Sequence, residues 1–298
     1  MKLLLAVDSV DSAELVAGTV ASRPWVPGTR ARVLTVIDHA HIPVDLVNET
    51  GGQMRLIRPE MQQRASRVTA RAVELLRQAG VEAEEEVGDG DARVVIVDRA
   101  REWGADLVYV RSHVYRDISR WMMGSVAREV LRSAPCSVGV IRAAADGGAA
   151  TPAPAGMRIL LATDGSEYSR AAARSVSERL WPDETEVKVL GVVNPNERSI
   201  YAVAQVMVTQ EGEAEGSQGM VGETVKVVGD AGLRVAGETA VGDAKTLIVE
   251  RAKEWGAHLV VVGSHGRRGS ERLLLGSVSE FVANQAYCST EVIRPQRA

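Results

Sequence analysis

The sequence is short of the residues that several common kinds of site require. Only 4% of its residues are aromatic, with a single Phe, which argues against stacking platforms for nucleic-acid bases. Two cysteines are too few for a disulfide framework or a thiolate metal cage. The net charge is -4 and the pI about 5.8, so a basic face for nucleic acid or an anionic membrane is not expected.

Long apolar runs are also missing. The N-terminal run stops at Asp8, too short for an export signal, and no other stretch approaches the roughly 20 apolar residues of a membrane span. This predicts a cytoplasmic protein that does not enter a membrane. The chain does contain 45% hydrophobic residues over 298 positions, which suits two domains of common size.

The clearest pattern in the chain is an internal repeat. The segment Arg99–Val108 returns, 152 residues later, as Arg251–Val260, and Trp-Gly-Ala stands at its centre in both copies. The two starts also match, with Leu4–Asp8 corresponding to Leu160–Asp164 at a spacing of 156. A repeat of this length indicates a tandem duplication of a whole domain.

The duplication sets the predicted domain boundaries. The first domain is expected over residues 1–142 and the second over 157–298. Between them, residues 143–156 are rich in Ala, Gly and Pro without apolar periodicity, which is typical of a linker.

Short apolar runs alternate with helix-period segments in each copy. In the second copy the predicted strands are Arg158–Thr163, Glu186–Val193, Arg234–Ala240, His258–Gly263 and Thr290–Arg294. The predicted helices are Tyr168–Leu180, Met220–Ala231, Asp243–Trp255 and Ser277–Ala286, with Asp243 and its counterpart Asp91 as N-caps. The pattern predicts two α/β domains, each an open parallel five-stranded, Rossmann-like sheet sandwiched by helices. Met54–Ala79 and Ile200–Met220 show no clear pattern.

Glycines and a hydroxyl follow the predicted fourth strand of the second copy with the spacing Gly263-x2-Gly266-x9-Gly276-Ser277. We expect Gly263 and Gly266 to adopt positive φ, so that backbone N–H groups converge on an anion. Ser277 should open the last helix, whose N-terminus favours phosphate. His265 could contact that phosphate through a ring N–H, and Arg267, Arg268 and Arg272 could lie over a polyphosphate.

This motif, together with the apolar strand ending in Asp164 and the Ala-Tyr-Cys-Ser run before the last strand, resembles the universal stress protein family. The resemblance covers essentially the whole chain, as two family domains in tandem. In the family's ATP-binding branch the motif holds the ribose and phosphates, and residues after the first two strands hold the adenine and ribose. The implied ligand-binding residues are Ala162, Asp164, Val192, Val262, Gly263, His265, Gly266, Gly276, Ser277, Val278 and Ser279.

The implied ligand is therefore ATP, with any Mg²⁺ held by the phosphates and water. No catalytic residue and no metal-ligating residue is predicted. Asp164, a carboxylate at a strand end, suits ribose hydroxyls, and Val192 offers an apolar wall and main-chain groups to a purine.

The first copy departs from the motif, reading Arg111-Ser112-His113-Val114 and then nine residues before Gly124-Ser125. Arg111 and Val114 replace the two early glycines, which predicts backbone strain at positive φ and side chains in the phosphate space. Ser9-Val10 also stand where the second copy has Gly165-Ser166. The first domain is therefore expected to exclude ATP or to bind it much more weakly. Binding of a smaller anion at Arg111 stays open.

Three functions are compatible with the residues. The first is a stress-response or signalling protein in which ATP in the second domain changes conformation or partner choice. The second is a slow ATPase or nucleotidyl-transferring enzyme, although only Glu271 and Glu280 are acidic near the motif. The third is an interaction scaffold that binds no nucleotide.

Family resemblance also implies the assembly. Single-domain members commonly pair through their last strands, so an internal pseudo-dimer through Ser137–Arg142 and Thr290–Arg294 is expected. A homodimer of the full chain is compatible with this arrangement, and the protein partners and the stress are left open.

Overall fold

A computed structural model describes residues 1–38, 46, 53–112, 123–143, 156–193, 219–266 and 275–295. These residues form two compact units, built mainly on the first and second copies of the repeat. Several residues named above lie outside the described ranges: residues 144–155 of the linker, His113, Val114, residues 200–218, Arg267, Arg268, Glu271 and Arg272.

The first unit is a parallel sheet of five strands with helices against it. Its strands are β1 (Lys2–Ala6), β2 (Arg30–Ile37), β3 (Glu82–Asp89), β4 (Leu107–Arg111) and β5 (Ser137–Ile141). Its helices are α1 (Val10–Ala21), α2 (Met54–Gln78), α3 (Ala92–Trp103) and α4 (Ser125–Ser133). The strand order is β3-β2-β1-β4-β5, with every pairing parallel.

The second unit repeats this topology. Its strands are β6 (Arg158–Thr163), β7 (Glu186–Val193), β8 (Arg234–Val241), β9 (Leu259–Gly263) and β10 (Ser289–Ile293). Its helices are α5 (Glu167–Ser177), α6 (Met220–Asp230), α7 (Ala244–Trp255) and α8 (Ser277–Gln285). The order β8-β7-β6-β9-β10 confirms the predicted fold class, and the strands and helices predicted for this copy agree to within three residues.

Burial on both faces explains the continuous apolar strands. Leu3, Leu4 and Leu5 of β1 are 0% exposed, as are Leu259, Val260 and Val261 of β9. Since helices cover each face of a parallel sheet, no strand position here has to be polar. Burial on both faces therefore accounts for the apolar sequence of the central strands.

The third helix of each unit begins after an Asp N-cap and ends at a glycine. The predicted N-caps are confirmed, because Asp91 accepts from the Arg93 N–H at 2.9 Å and Asp243 from the Thr246 N–H at 3.0 Å. The backbone hydrogen bond from Thr246 lowers the pKa of the Asp243 carboxyl. Both helices end on a left-handed glycine, Gly104 or Gly256.

The backbone at the start of the first strand donates to a different side chain in each unit. In the first, the backbone N–H of Lys2 donates to Asp106 Oδ2 at 2.7 Å. In the second, the N–H of Arg158 donates to His258 Nδ1 at 3.0 Å. Burial, and then the charge of Arg158, lower the pKa of His258, because this site favours the neutral imidazole that accepts the hydrogen bond.

We expect this contact to make the stability of the second unit depend on pH. The folded-state pKa lies below the unfolded value of about 6.5, so the unfolded chain binds the extra proton first. The free energy of unfolding should be at its full value above that pH and fall as the pH drops towards about 5. Urea denaturation followed across this range measures the effect.

His258→Asp, which copies Asp106, is the matched control. A carboxylate accepts the same N–H without gaining a proton in this range, so the variant should show a flatter profile between about pH 7 and 5. Identical pH profiles for the two proteins would contradict the assignment to His258.

In the described part of the chain, no helix is both long and apolar enough to cross a membrane.

Candidate functional site

The predicted site residues gather where the strand order of the second unit reverses. The first strand, β6, pairs with β7 on one side and with β9 on the other. Asp164 follows β6, Gly263 ends β9, and Val192 lies at the end of β7. In open parallel sheets a crevice forms at this switch point, outside the carboxyl ends of the strands. The fold therefore brings together segments that are about 100 residues apart in the chain.

The turn after β6 orients the Asp164 carboxylate. The backbone N–H of Ser166 donates to Asp164 Oδ1 at 3.0 Å, closing a local turn around the side chain. Gly165 supports this turn with a φ of 72°, which a side chain would resist. Ser166 then caps α5 by accepting from the Ser169 N–H at 3.2 Å.

The expectation of positive φ at the motif glycines is wrong. Neither Gly263 nor Gly266 is among the positive-φ glycines, and Gly276 has a φ of −74°. At Gly263 the reason for glycine is instead the close approach of two backbone segments, and at Gly266 it is the nearness of the Asp164 carboxylate. A Cβ at Gly263 would lie 2.6 Å from the carbonyl carbon of Tyr168, and one at Gly266 would lie 2.8 Å from Asp164 Oδ2.

The start of α8 is joined to the loop after β9. The Gly276 N–H donates to the Ser264 carbonyl at 2.8 Å, and the Ser279 hydroxyl donates to the Gly263 carbonyl at 2.8 Å. Gly276 is the N-cap and has no side chain with which to cap the first turn. The N–H groups of Ser277 and Val278 therefore stand at the positive end of a helix, next to Gly263 and Ser264.

His265 is held from two sides. Its Nδ1 lies 3.2 Å from the Ser264 hydroxyl, and its ring centre lies 4.9 Å from that of Tyr168. When Ser264 donates to Nδ1, the imidazole carries its proton on Nε2. Tyr168 is not indicated by the sequence, because it belongs to the first turn of α5 and meets His265 only through the tertiary fold.

The remaining predicted residues lie near the ends of three neighbouring strands: Ala162 on β6, Val192 on β7 and Val262 on β9. Val192 and Ala162 are half-buried, whereas the Val262 side chain is 4% exposed and leaves only its main chain for a ligand. A Cβ at Gly191 would lie 2.5 Å from a methyl group of Val221, so the start of α6 packs directly on β7.

The first unit builds the corresponding turn differently. Ser9 caps α1 immediately after Asp8, so Ser9 corresponds in role to Ser166, and the proposed match of Ser9-Val10 with Gly165-Ser166 is wrong. The helix starts one residue earlier and has no counterpart of Gly165. Since the Gly263 position does not need positive φ, the predicted backbone strain at Arg111 is also wrong. The Nε of Arg111 is buried and has no hydrogen-bond partner among the described residues.

A sequence profile of the Universal stress protein family matches residues 1–142 and 157–294. The chain belongs to the universal stress protein family. It is 54% identical over 54 residues to Universal stress protein A homolog 2 of Coxiella burnetii, a match that spans 18% of this chain and 36% of that protein. It is 30% identical over 144 residues to Universal stress protein MJ0531 of Methanocaldococcus jannaschii, covering 46% of this chain and 81% of that protein.

A solved structure supports the same family fold over nearly the full length. The crystal structure of a universal stress protein from Archaeoglobus fulgidus matches with a TM-score of 0.68 and 20% identity, covering 98% of both chains. The chain is thus a tandem-domain universal stress protein with an α/β fold in each unit.

Proposed function

We propose that the second unit binds ATP at the switch point between β6 and β9, and that the bound nucleotide changes the conformation or partner choice of the protein. The first unit takes up ATP much more weakly, because Arg111 replaces Gly263 there. The proposed ligand-binding residues are those predicted from the sequence: Ala162, Asp164, Val192, Val262, Gly263, His265, Gly266, Gly276, Ser277, Val278 and Ser279.

The observation that carries this proposal is the approach of Gly266 to Asp164. A Cβ at Gly266 would lie 2.8 Å from Asp164 Oδ2, so the backbone at Gly266 comes close to the carboxylate. A carboxylate that can accept from ribose hydroxyls thus lies beside a loop joined to a helix N-terminus. The carboxylate suits the ribose of a nucleoside triphosphate, and the helix N-terminus suits its phosphates.

Each part of ATP then has a partner of matching chemistry. Asp164 accepts from the ribose hydroxyls, and Val192 provides an apolar surface for the purine. The phosphates lie against the first turn of α8, where the Ser277 hydroxyl and backbone N–H groups donate, and His265 donates from its ring. Within the described ranges, no group of three His, Cys, Asp or Glu side chains could hold a metal. As expected from the sequence, any Mg²⁺ is assigned in this proposal to the phosphates and water.

Calorimetric titration of ATP into the intact protein tests the proposal, and we expect one ATP per chain. Asp164→Asn should weaken binding about 10- to 100-fold, since a hydrogen bond to a charged group contributes about 1.5–3 kcal/mol. Asp8→Asn is the matched control, because it makes the same change in the first unit. It should leave the affinity and the stoichiometry unchanged.

Other outcomes have distinct meanings. A folded intact protein that takes up no ATP would overturn the proposal and favour an interaction scaffold. Two ATP molecules per chain, one of them lost in Asp8→Asn, would overturn the difference between the units. Bound ATP recovered intact after hours supports binding, whereas steady phosphate release would favour a slow ATPase.

A further inference from the structure

A chain of buried hydroxyl groups lies beneath the turn that carries Asp164. Thr163, Ser169 and Thr224 are 5%, 3% and 4% exposed. The Thr163 Oγ1 atom is 3.3 Å from Ser169 Oγ and 3.2 Å from Thr224 Oγ1. Three elements, β6, α5 and α6, therefore meet through these side chains.

The hydroxyls also bond to the backbone of the segments they join. The Gly165 N–H donates to Thr163 Oγ1 at 3.3 Å, which ties the Asp164 turn to the chain of hydroxyls. The Thr224 hydroxyl lies 2.8 Å from the carbonyl oxygen of Met220, to which it donates at the start of α6. A link thus runs from the first turn of α6 to the residue next to Asp164.

The first unit makes the same fold without this link. Register along the strands places Val7 at the position of Thr163, and the end of α2 places Ala72 at the position of Thr224. There the Ser12 hydroxyl accepts from the Asp8 N–H at 2.9 Å instead. The same fold therefore forms without the Thr163 and Thr224 hydroxyls, so the topology alone does not require them.

We propose that Thr163 and Thr224 are positioning residues for Asp164, and that they hold its turn in the geometry that accepts the ribose of the nucleotide. This inference rests on the proposed ATP site. Neither hydroxyl contacts ligand in this role. Thr163 acts by accepting from Gly165, and Thr224 acts by holding Thr163 and joining the turn to α6.

The test compares ATP with 2′,3′-dideoxy-ATP, which lacks the ribose hydroxyls that Asp164 would accept from. We expect Thr224→Ala, which copies Ala72, to weaken ATP binding about 5- to 10-fold, as for one ordinary hydrogen bond. Thr163→Val, which copies Val7, should have a similar effect. Dideoxy-ATP affinity should change little in either variant, and Thr224→Ser should restore ATP binding.

Ser177→Ala is the matched control. Its hydroxyl also joins α5 to α6, 3.0 Å from the Ala173 carbonyl oxygen and 3.3 Å from that of Val227, but it belongs to the far end of α5. It should leave both nucleotide affinities unchanged. A double variant of Thr163 and Thr224 should lose less than the product of the single losses, since the two act through one link.

The outcomes separate this inference from the proposed function. If the unaltered protein binds no ATP, the proposed site fails and this role falls with it. If ATP binds but Thr224→Ala and Thr163→Val keep full affinity, only the positioning role is overturned. Equal losses for ATP and dideoxy-ATP would also overturn it, because they would indicate general disruption of the unit.

Discussion

Gly263→Arg, which copies Arg111 into the second unit, is expected to lower ATP affinity by about 100-fold or more. A Cβ at this position would lie 2.6 Å from the Tyr168 carbonyl carbon and 2.8 Å from the Ser169 nitrogen. The first turn of α5 and the Asp164 turn before it must therefore move. Overpacking of this kind costs about 1–3 kcal/mol of folding free energy. The loss of affinity comes from the ligand contacts that the shift removes, and each 1.4 kcal/mol of binding free energy is tenfold in affinity. Calorimetric titration measures the loss.

Two further variants separate loss of the site from loss of the fold. Gly263→Ala adds only the Cβ, so a smaller loss of affinity is expected with little change in the circular dichroism spectrum. Arg111→Gly makes the reverse change in the first unit and should leave ATP binding by the second unit intact. A folded Gly263→Arg protein with unaltered ATP affinity would refute the steric argument.

Glu291→Ala is expected to lower the free energy of unfolding of the second unit by about 3–5 kcal/mol. Glu291 is 0% exposed, and its carboxylate lies 2.5 Å from the Arg179 guanidinium, whose side chain is 8% exposed. Arg179 is further held by its Nε, which donates to the Ser175 carbonyl at 2.9 Å. Removing the carboxylate leaves a buried charge without its main counter-ion, which explains the large penalty.

The first unit suggests a compensating variant. At the places of Val261 and Glu291 it has Tyr109 and Gly139, and a Cβ at Gly139 would lie 2.3 Å from the Tyr109 ring. There Nη1 of Arg23, the counterpart of Arg179, lies 3.5 Å from the Tyr109 hydroxyl. The double variant Val261→Tyr, Glu291→Gly gives Arg179 such a hydroxyl and should recover part of the stability lost in Glu291→Ala.

Urea denaturation, with hydrogen exchange read at β10, measures the unfolding of the second unit in both variants. A loss below about 1 kcal/mol in Glu291→Ala would show that the pair behaves like an exposed one.

The helices show where sequence reasoning is strong and where it weakens. The third helix of each unit has an Asp N-cap and a glycine stop within the sequence, so its bounds could be predicted. The helix α2 could not, because arginines and glutamines interrupt its apolar pattern. Only the packing of Val68, Ala72 and Leu76 against the sheet makes its inner face evident.

The candidate site divides in a similar way. The motif spacing predicted that Gly263, Gly266 and Gly276 matter, but it gave the wrong physical reason. Positive φ is a property of a single residue, and at this site Gly165 adopts it. Close approach depends instead on which atoms pack against the glycine. Tyr168 next to His265 could not be predicted for the same reason.

The sequence by itself determined the duplication, the order of the strands and of the helices other than α2, the parallel sheets and the segments that end at the site. Repeats, apolar periodicity and caps can each be identified from the order of residues along the chain. Only the tertiary structure decided that Gly263 and Gly276 serve close backbone contact, that Arg179 pairs with Glu291, and that Thr163 meets Thr224. These contacts join residues far apart in the chain, 61 positions in the last case, and depend on which backbones the folded sheet brings together.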